Sequence, residues 1–408
     1  MTKQVITTYI FFLLLTFWVV SDIFPATGRI YGRIYTEDGE VYQGRITWDK
    51  NEGIWEDILD CTKSYRTPHS EGRDKEEDIV IFGIRISWSK SGEYSSASMG
   101  IKFGHIQSIR PRSSNKATIY LKSGDNIKVK GYSTDIGSSV REIVVLDPDY
   151  GTVKLDWEDL DKVVFENEPE DLPQDDKKRL YGRLTTRDGE EFVGFITWDQ
   201  DEIFSTDILD GEEDRRDWEI PFGNIKKIER HSRSSALVYL KNGVKLNLSG
   251  TNDVNSSNRG ILVEDPNFGR VEVKWGDFDE LEFLDVGERY IKNYDEYDGG
   301  KRLYGTVYTE DRDSYTGFIT WDDDEEYTWE MLNGDYQDLE VMLEFGQIKS
   351  IKKRSFWGAE VTLKNGKTFT LEDSNDVNDE NKGIFISENG REYTVEWEDF
   401  EKVEFFEK

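Results

Sequence analysis

The chain has 408 residues, of which 84 are acidic and 52 are basic, so its formal net charge at pH 7 is −32. This charge repels nucleic acid phosphates and anionic lipid headgroups, and it argues against both as partners. Aromatic residues make up 13% of the chain and only eight residues are proline, a composition typical of folded β structure rather than of disorder.

The N-terminal residues have the layout of a secretory signal peptide. Lys3 precedes an apolar run over residues 5–20, and a short polar stretch ends at Ala26, which predicts a signal over residues 1–26. The run is long for a signal core and short for a membrane span, which needs about 20 residues. An uncleaved anchor and a buried strand or helix remain alternatives. With a signal or an anchor, the protein is exported, as a periplasmic or secreted protein, and only this segment meets a membrane.

Three long repeats follow. The ten residues that begin Leu180-Tyr-Gly-Arg recur in similar form from Ile30 and from Leu303. The second and third copies align without a gap over almost their whole length, whereas the first contains an insertion. The pattern predicts three domains with the following bounds: 28–165 with an insertion at about 62–98, 179–284, and 302–408.

Two segments between the repeats have the composition of linkers. Residues 166–178 carry proline among carboxylates, and residues 285–301 contain Gly299-Gly300. Limited proteolysis is therefore expected to cut in both segments before it cuts within a repeat.

The insertion has one alternating stretch and the chain's single cysteine lies near its start. Residues 79–88 alternate apolar and polar positions, which predicts an extended hairpin. Cys61 excludes an intramolecular disulfide, and we interpret it as a partly buried small residue, with pairing between chains as the alternative. His69 lies in a polar part of the insertion, eight residues from Cys61, and the two are weak candidates for a nucleophile pair.

A shorter period within each repeat predicts small barrels. An aromatic residue followed by aliphatic residues three apart recurs six times, a pattern that fits one tight helical turn before a short strand; the copies begin at Phe103, Trp157, Phe222, Trp275, Phe345 and Trp397. Asp188-Gly189 and Asn242-Gly243 are hairpin signals. Five short strands in each half of a repeat predict an all-β protein in which every repeat is a fused pair of five-stranded barrels.

The first hairpin of each repeat resembles a known class of barrel. Residues 184–199, Leu-Thr-Thr-Arg-Asp-Gly-Glu-Glu-Phe-Val-Gly-Phe-Ile-Thr-Trp-Asp, resemble the first motif of Sm-like proteins, and the tight turn before the last strand is common to SH3-like barrels. The resemblance implies a small barrel fold. RNA binding is not implied, because no Asn follows Asp199 at the expected place and Phe222-Gly223-Asn224 replaces the Arg-Gly or Lys-Gly of that class.

Alternation along the second strand of each repeat separates a shared face from a variable one. In the second repeat Phe192, Gly194, Ile196 and Trp198 lie on one face. The other two copies keep this pattern, so we interpret it as the core face and its tryptophan as structural, with sugar stacking as the alternative.

Acidic residues follow each of these tryptophans. Asp49 and the acidic runs 199–202 and 322–326 lie at the strand ends, where we expect solvated loops. Paired carboxylates that cleave glycans or bind a metal are the less favoured interpretation. The glycine on the shared face is expected to admit an aromatic ring or to let the strand bend.

Two later loops have the alternating oxygen side chains of calcium sites. Residues 251–260 and 374–383 each end in glycine, and the candidate ligands are Asp253, Asn255, Asn258, Asp376, Asn378, Asp379 and Asn381. No bidentate glutamate stands where an EF-hand would place one. Asn and Asp also stabilise turns through their own backbone, and a plain turn is the alternative.

Signatures of catalysis are otherwise missing from the sequence. His69, His105 and His231 are not at metal-ligand spacing, and the chain has no nucleophile elbow, phosphate loop or dinucleotide fingerprint. The sequence therefore predicts a noncatalytic extracytoplasmic scaffold that binds a protein or a cell-envelope polymer. A calcium-dependent binding module is the alternative, and calcium is the one cofactor considered.

Overall fold

The computed structural model describes residues 28–66, 78–81, 84–87, 94–131, 135–170, 172–173, 177–287 and 291–408. These residues form β-strands, turns and single-turn 3-10 helices, and no α-helix occurs among them, so the all-β class is confirmed. The predicted signal or anchor and His69 lie outside the described residues.

Each repeat contributes ten strands, and the first adds a separate hairpin. The first repeat contains β1 (Tyr31–Thr36), β2 (Val41–Thr47), β3 (Ile58–Arg66), β4 (Asp78–Ile81), β5 (Ile84–Ser87), β6 (Tyr94–Lys102), β7 (Ile106–Ser113), β8 (Lys116–Leu121), β9 (Asn126–Lys130), β10 (Ile143–Asp147), β11 (Gly151–Leu155) and β12 (Leu160–Phe165). The second contains β13 (Tyr181–Thr186), β14 (Glu191–Thr197), β15 (Ile208–Glu213), β16 (Arg216–Pro221), β17 (Ile225–Ser232), β18 (Ser235–Leu240), β19 (Lys245–Ser249), β20 (Ile261–Asp265), β21 (Gly269–Val273) and β22 (Phe278–Phe283). The third contains β23 (Tyr304–Thr309), β24 (Ser314–Trp321), β25 (Met331–Tyr336), β26 (Leu339–Glu344), β27 (Ile348–Ser355), β28 (Gly358–Leu363), β29 (Thr368–Glu372), β30 (Ile384–Glu388), β31 (Arg391–Val395) and β32 (Phe400–Phe405).

The predicted tight turns are present. Four of the six aromatic motifs form 3-10 helices, at Phe103–His105, Trp157–Asp159, Phe222–Asn224 and Phe345–Gln347, and the motifs at Trp275 and Trp397 form hydrogen-bonded turns. Two further 3-10 helices cover Asn252–Val254 and Tyr294–Glu296. In the insertion, β4 and β5 pair antiparallel, which confirms the predicted hairpin.

All three repeats have the same antiparallel strand order. In the first the order is β11-β10-β2-β1-β12-β7-β8-β9-β3-β6. The corresponding strands of the second repeat pair as β21-β20-β14-β13-β22-β17-β18-β19-β15-β16. Those of the third pair as β31-β30-β24-β23-β32-β27-β28-β29-β25-β26.

This order differs from two barrels built one after the other along the chain. In the second repeat β13 and β14 pair with β22 and β20, from the far end of the repeat, and β15 pairs with β19. The predicted barrel pair is therefore not confirmed. The reason is physical: side-chain alternation shows which residues form strands and which face is buried, but the backbone bonds that choose a partner carry no side-chain pattern.

Two glycines face each other in the first hairpin of every repeat. Gly182 pairs with Gly194, and the same pairing recurs as Gly32 with Gly44 and Gly305 with Gly317. A Cβ atom on Gly194 would lie 2.4 Å from the carbonyl oxygen of Glu264 on β20. Glycine is thus needed here because a neighbouring backbone comes too close for any side chain.

The repeats pack against one another. Strand β21 pairs with β26, so one sheet runs from the second repeat into the third. An apolar cluster combines residues from all three repeats, namely Ile58, Leu262, Met331 and Met342. The indole of Trp329, from the third repeat, is 2% exposed and belongs to the core of the first.

The second predicted linker also packs against the first repeat. Tyr294 and Tyr297 are buried; the hydroxyl of Tyr294 donates to the carbonyl of Ile106 at 2.8 Å, and that of Tyr297 donates to the carboxylate of Glu56 at 2.5 Å. The ring of Tyr294 lies 4.5 Å from that of Trp55. Residues 291–301 therefore contribute to the core of the first repeat.

Candidate functional site

A tight turn follows the buried tryptophan of each repeat. In the second repeat the backbones of Trp198 and Glu202 exchange two hydrogen bonds, of 2.9 and 3.0 Å. Between them Asp199 and Gln200 both have left-handed backbone, with φ of 51° and 55°. Two consecutive left-handed residues make the chain reverse within one turn.

The aspartate of this turn is buried, so the expectation of a solvated loop is wrong. Asp199 is 0% exposed. Its carboxylate accepts hydrogen bonds from the backbone N–H of Arg259 at 2.5 Å and from the guanidinium of Arg259 at 3.0 Å. The tight turn places Asp199 against residues 251–260, whose donors replace water. Asp49 and Asp322 are also 0% exposed, in the same position of the other repeats.

A second aspartate reaches the same place from residues 251–260. Asp253 lies in the 3-10 helix Asn252–Val254 and is 5% exposed. Its carboxylate accepts the backbone N–H of Asp210 at 2.7 Å, and its carbonyl accepts the indole N–H of Trp198 at 3.0 Å. These bonds fix Asp253 beside the turn that carries Asp199.

Glu202 completes a cluster of three carboxylates. One carboxylate oxygen from each of Asp199, Glu202 and Asp253 lies within 4.8 Å of the others. The Oε2 atom of Glu202 is shielded from solvent and has no hydrogen-bond partner. Burial, reinforced by the charges of Asp253, Asp201 and Asp199, raises the pKa of Glu202 to about 9. Burial also raises the pKa of Asp253, to about 6.

The other repeats contain the same three acidic positions: Asp49, Glu52 and Asp135 in the first, and Asp322, Glu325 and Asp376 in the third. Glu52 and Glu325 are 3% and 4% exposed, and in each the Oε2 atom has no hydrogen-bond partner. Burial and neighbouring carboxylates, foremost Asp135 for Glu52, raise the pKa of both glutamates well above the ordinary value. We call the three positions of each repeat its acid cluster.

The tryptophans are structural, as predicted. Trp48, Trp198 and Trp321 are each 0% exposed. Each indole N–H donates to the backbone carbonyl of the last aspartate in its acid cluster, at 2.9, 3.0 and 2.9 Å. The rings are therefore covered on both faces and are not available to stack on a sugar.

The predicted calcium ligands divide into two groups. Asp253 and Asp376 belong to acid clusters, and Asp376 accepts the backbone N–H of Asn333 at 2.7 Å. The asparagines instead accept backbone N–H groups two residues further along the chain, as in Asx turns; the acceptors are Asn255 at 2.7 Å, Asn258 at 3.0 Å, Asn378 at 2.9 Å and Asn381 at 3.0 Å. Asp379 is exposed.

The glutamates of the acid clusters were not among the predicted metal ligands. These glutamates are Glu52, Glu202 and Glu325. A signal was present, because the pattern Trp-Asp-x-x-Glu occurs in all three copies, as WDKNE, WDQDE and WDDDE. Its meaning depends on the left-handed turn that brings the glutamate back beside the aspartate.

An exposed aromatic pair lies at the tip of one hairpin. Phe356 and Trp357 connect β27 to β28 and are 55% and 65% exposed. The same turn is formed by Ser114-Asn115 in the first repeat and by Arg233-Ser234 in the second. The backbone carbonyl of Phe356 accepts the N–H of Asp379 at 2.8 Å, so this tip is bonded to residues 374–383.

Comparison of the chain with protein-family models, with curated proteins and with solved structures finds no match. Within the described residues, no helix has both the length and the apolar character needed to cross a membrane.

Proposed function

We propose that the protein is a noncatalytic, extracytoplasmic scaffold that binds a protein partner through the aromatic tip Phe356-Trp357. In this proposal each repeat serves as one unit with two small barrel-like sheets. The two sheets share one strand pair, which is β17 with β22, the fifth and the tenth strands, in the second repeat. The exposed aromatic pair is the observation that carries the proposal.

The two aromatic rings of the tip are exposed and have no structural role, and this supports a role in binding. Most tryptophans of the described chain lie in the cores, whereas the ring of Trp357 is 65% exposed. Tryptophan and other aromatic residues supply much of the binding energy at protein interfaces. A two-residue turn that projects from the surface fits a cleft in a partner.

Photocrosslinking tests the proposal with matched positions. The photoreactive residue benzoylphenylalanine is placed at Trp357 in the full chain, and in control chains at Asn115 and Ser234, the same turn position of the other repeats. A protein adduct formed in native envelopes at position 357, and not at the controls, supports the proposal. Equal adducts at all three positions, or an adduct with a protease-resistant envelope polymer instead of a protein, overturns it.

A further inference from the structure

We infer that the acid cluster of the second repeat is a binding site for a divalent cation, and that calcium is the ion that fits it best. The site in the second repeat consists of Asp199, Glu202 and Asp253. The inference is independent of the aromatic tip and adds an ion to the proposed scaffold.

Convergence of the three carboxylates is the first observation. They come from two parts of the chain, and one oxygen from each still lies within 4.8 Å of the others. Two oxygens that both contact a calcium ion at 2.3–2.6 Å are separated by at most about 5 Å. The oxygens of the second repeat already satisfy this limit.

An unpartnered glutamate in every cluster is the second observation. The Oε2 atoms of Glu52, Glu202 and Glu325 are shielded from solvent and have no hydrogen-bond partner. Glu52 and Glu325 are 3% and 4% exposed, so bulk solvent does not reach their carboxylates. A buried polar atom without a partner costs free energy, and the same cost recurs three times in one chain. A cation at this oxygen would remove it.

The donor set selects the class of ion. The group in the second repeat consists of carboxylates and contains neither the cysteine nor the histidine that zinc prefers. Calcium accepts carboxylates in flexible geometry and completes its shell with water, whereas magnesium requires near-ideal octahedral geometry. The cluster carries three acidic groups, and Arg259 pairs with Asp199 at 3.0 Å. Once the ion displaces the proton that Glu202 holds, the remaining charge matches a divalent cation.

The second repeat offers the most accessible of the three acid clusters. Glu202 is partly exposed, whereas Glu52 and Glu325 are buried. In the third repeat Lys63 also lies 3.2 Å from the carboxylate of Asp324, next to Glu325. A cation therefore enters the cluster at Glu202 with the least rearrangement, and the site is placed in the second repeat.

Terbium luminescence provides the test, because terbium binds calcium sites and its emission is sensitised by a nearby indole. Trp198 directly precedes Asp199 in the second site. The full chain is titrated with terbium, and calcium is then added to displace it. The variant Glu202→Gln keeps the side-chain shape but cannot ionise, and Glu191→Gln, whose side chain is 63% exposed, is the control. A triple variant replaces Glu52, Glu202 and Glu325 together.

The inference predicts saturable emission that calcium displaces, at least tenfold weaker binding in Glu202→Gln, and no change in Glu191→Gln. The triple variant should lose the emission while it retains its circular dichroism spectrum. Absence of emission from the wild-type chain at millimolar terbium overturns the inference. So does a folded triple variant that binds terbium as the wild type does.

Discussion

The guanidinium of Arg270, in the second repeat, donates a hydrogen bond of 2.6 Å to the carboxylate of Asp60, in the first repeat. The same guanidinium bonds to Glu264 at 2.8 Å and to the carbonyl of Ile58 at 3.2 Å. Arg270 is 3% exposed. One buried cation thus connects the two repeats, because it lies between Asp60 and Glu264, two carboxylates that would otherwise repel each other.

Replacing Arg270 by alanine should destabilise the whole protein. The change leaves Asp60 and Glu264 without this cation, and removing one partner of a buried ion pair costs about 3–5 kcal/mol. Urea unfolding measures the loss. Lys274→Ala is the control, because the Lys274 side chain is 60% exposed in its pair with Glu340 and should change stability by less than about 1 kcal/mol. Equal losses in the two variants would contradict the structural role of Arg270.

The pKa of Glu202 predicts that the ion-free protein loses stability as the pH rises. Its folded value of about 9 exceeds the ordinary value of 4.5. Between these values the folded chain holds a proton that the unfolded chain has released. The contribution of this proton to the free energy of unfolding is therefore complete below pH 4.5, and it is lost progressively as the pH rises to about 9. The loss approaches about 1.4 kcal/mol per pH unit.

Urea midpoints at pH 5, 7 and 9 in the presence of a chelator check this pH dependence. Glu202→Gln cannot ionise, so its midpoint should fall less steeply over this range than that of the wild type. Glu191→Gln should follow the wild type. A Glu202→Gln variant with the wild-type slope would show that Glu202 does not titrate in this range.

The opposed glycines predict a steric penalty. Gly194→Ala places a Cβ atom 2.4 Å from the carbonyl oxygen of Glu264 and should destabilise the protein by about 1–3 kcal/mol. Gly276→Ala is the matched control, since a Cβ atom there has no neighbour within 4 Å. Thermal melting compares the two variants. Similar midpoints would mean that β20 can move away from β14 at little cost.

Limited proteolysis should distinguish the two segments predicted as linkers. Because Tyr294 and Tyr297 are buried, residues 291–301 should resist cleavage under conditions that cut residues 166–178. Tyr297→Ala removes the hydrogen bond to Glu56 and should make residues 291–301 sensitive. Tyr150→Ala, at a side chain that is 65% exposed, should not. Mass spectrometry of the fragments locates each cut, and early cleavage of the wild type within 291–301 would contradict the packing.

Sequence reasoning succeeded where a side-chain pattern reports directly on burial. Alternation identified the core face that carries Trp198, and aliphatic spacing located the tight turn at Phe222. It failed at Asp199, because an aspartate after a strand is usually solvated and only the left-handed turn explains its burial. Contacts between repeats were also out of reach: Arg270 and Asp60 are 210 residues apart, and no pattern in the sequence relates one to the other.

The place of Trp329 has a consequence for the order in which the protein can fold. The first repeat leaves the ribosome before the others, yet its core includes the indole of Trp329 and the ring of Tyr294. Chains fold from the N-terminus as they are made. The first repeat must therefore wait, with part of its core open, until most of the chain has been synthesised, and the part of the protein that is made first is completed late.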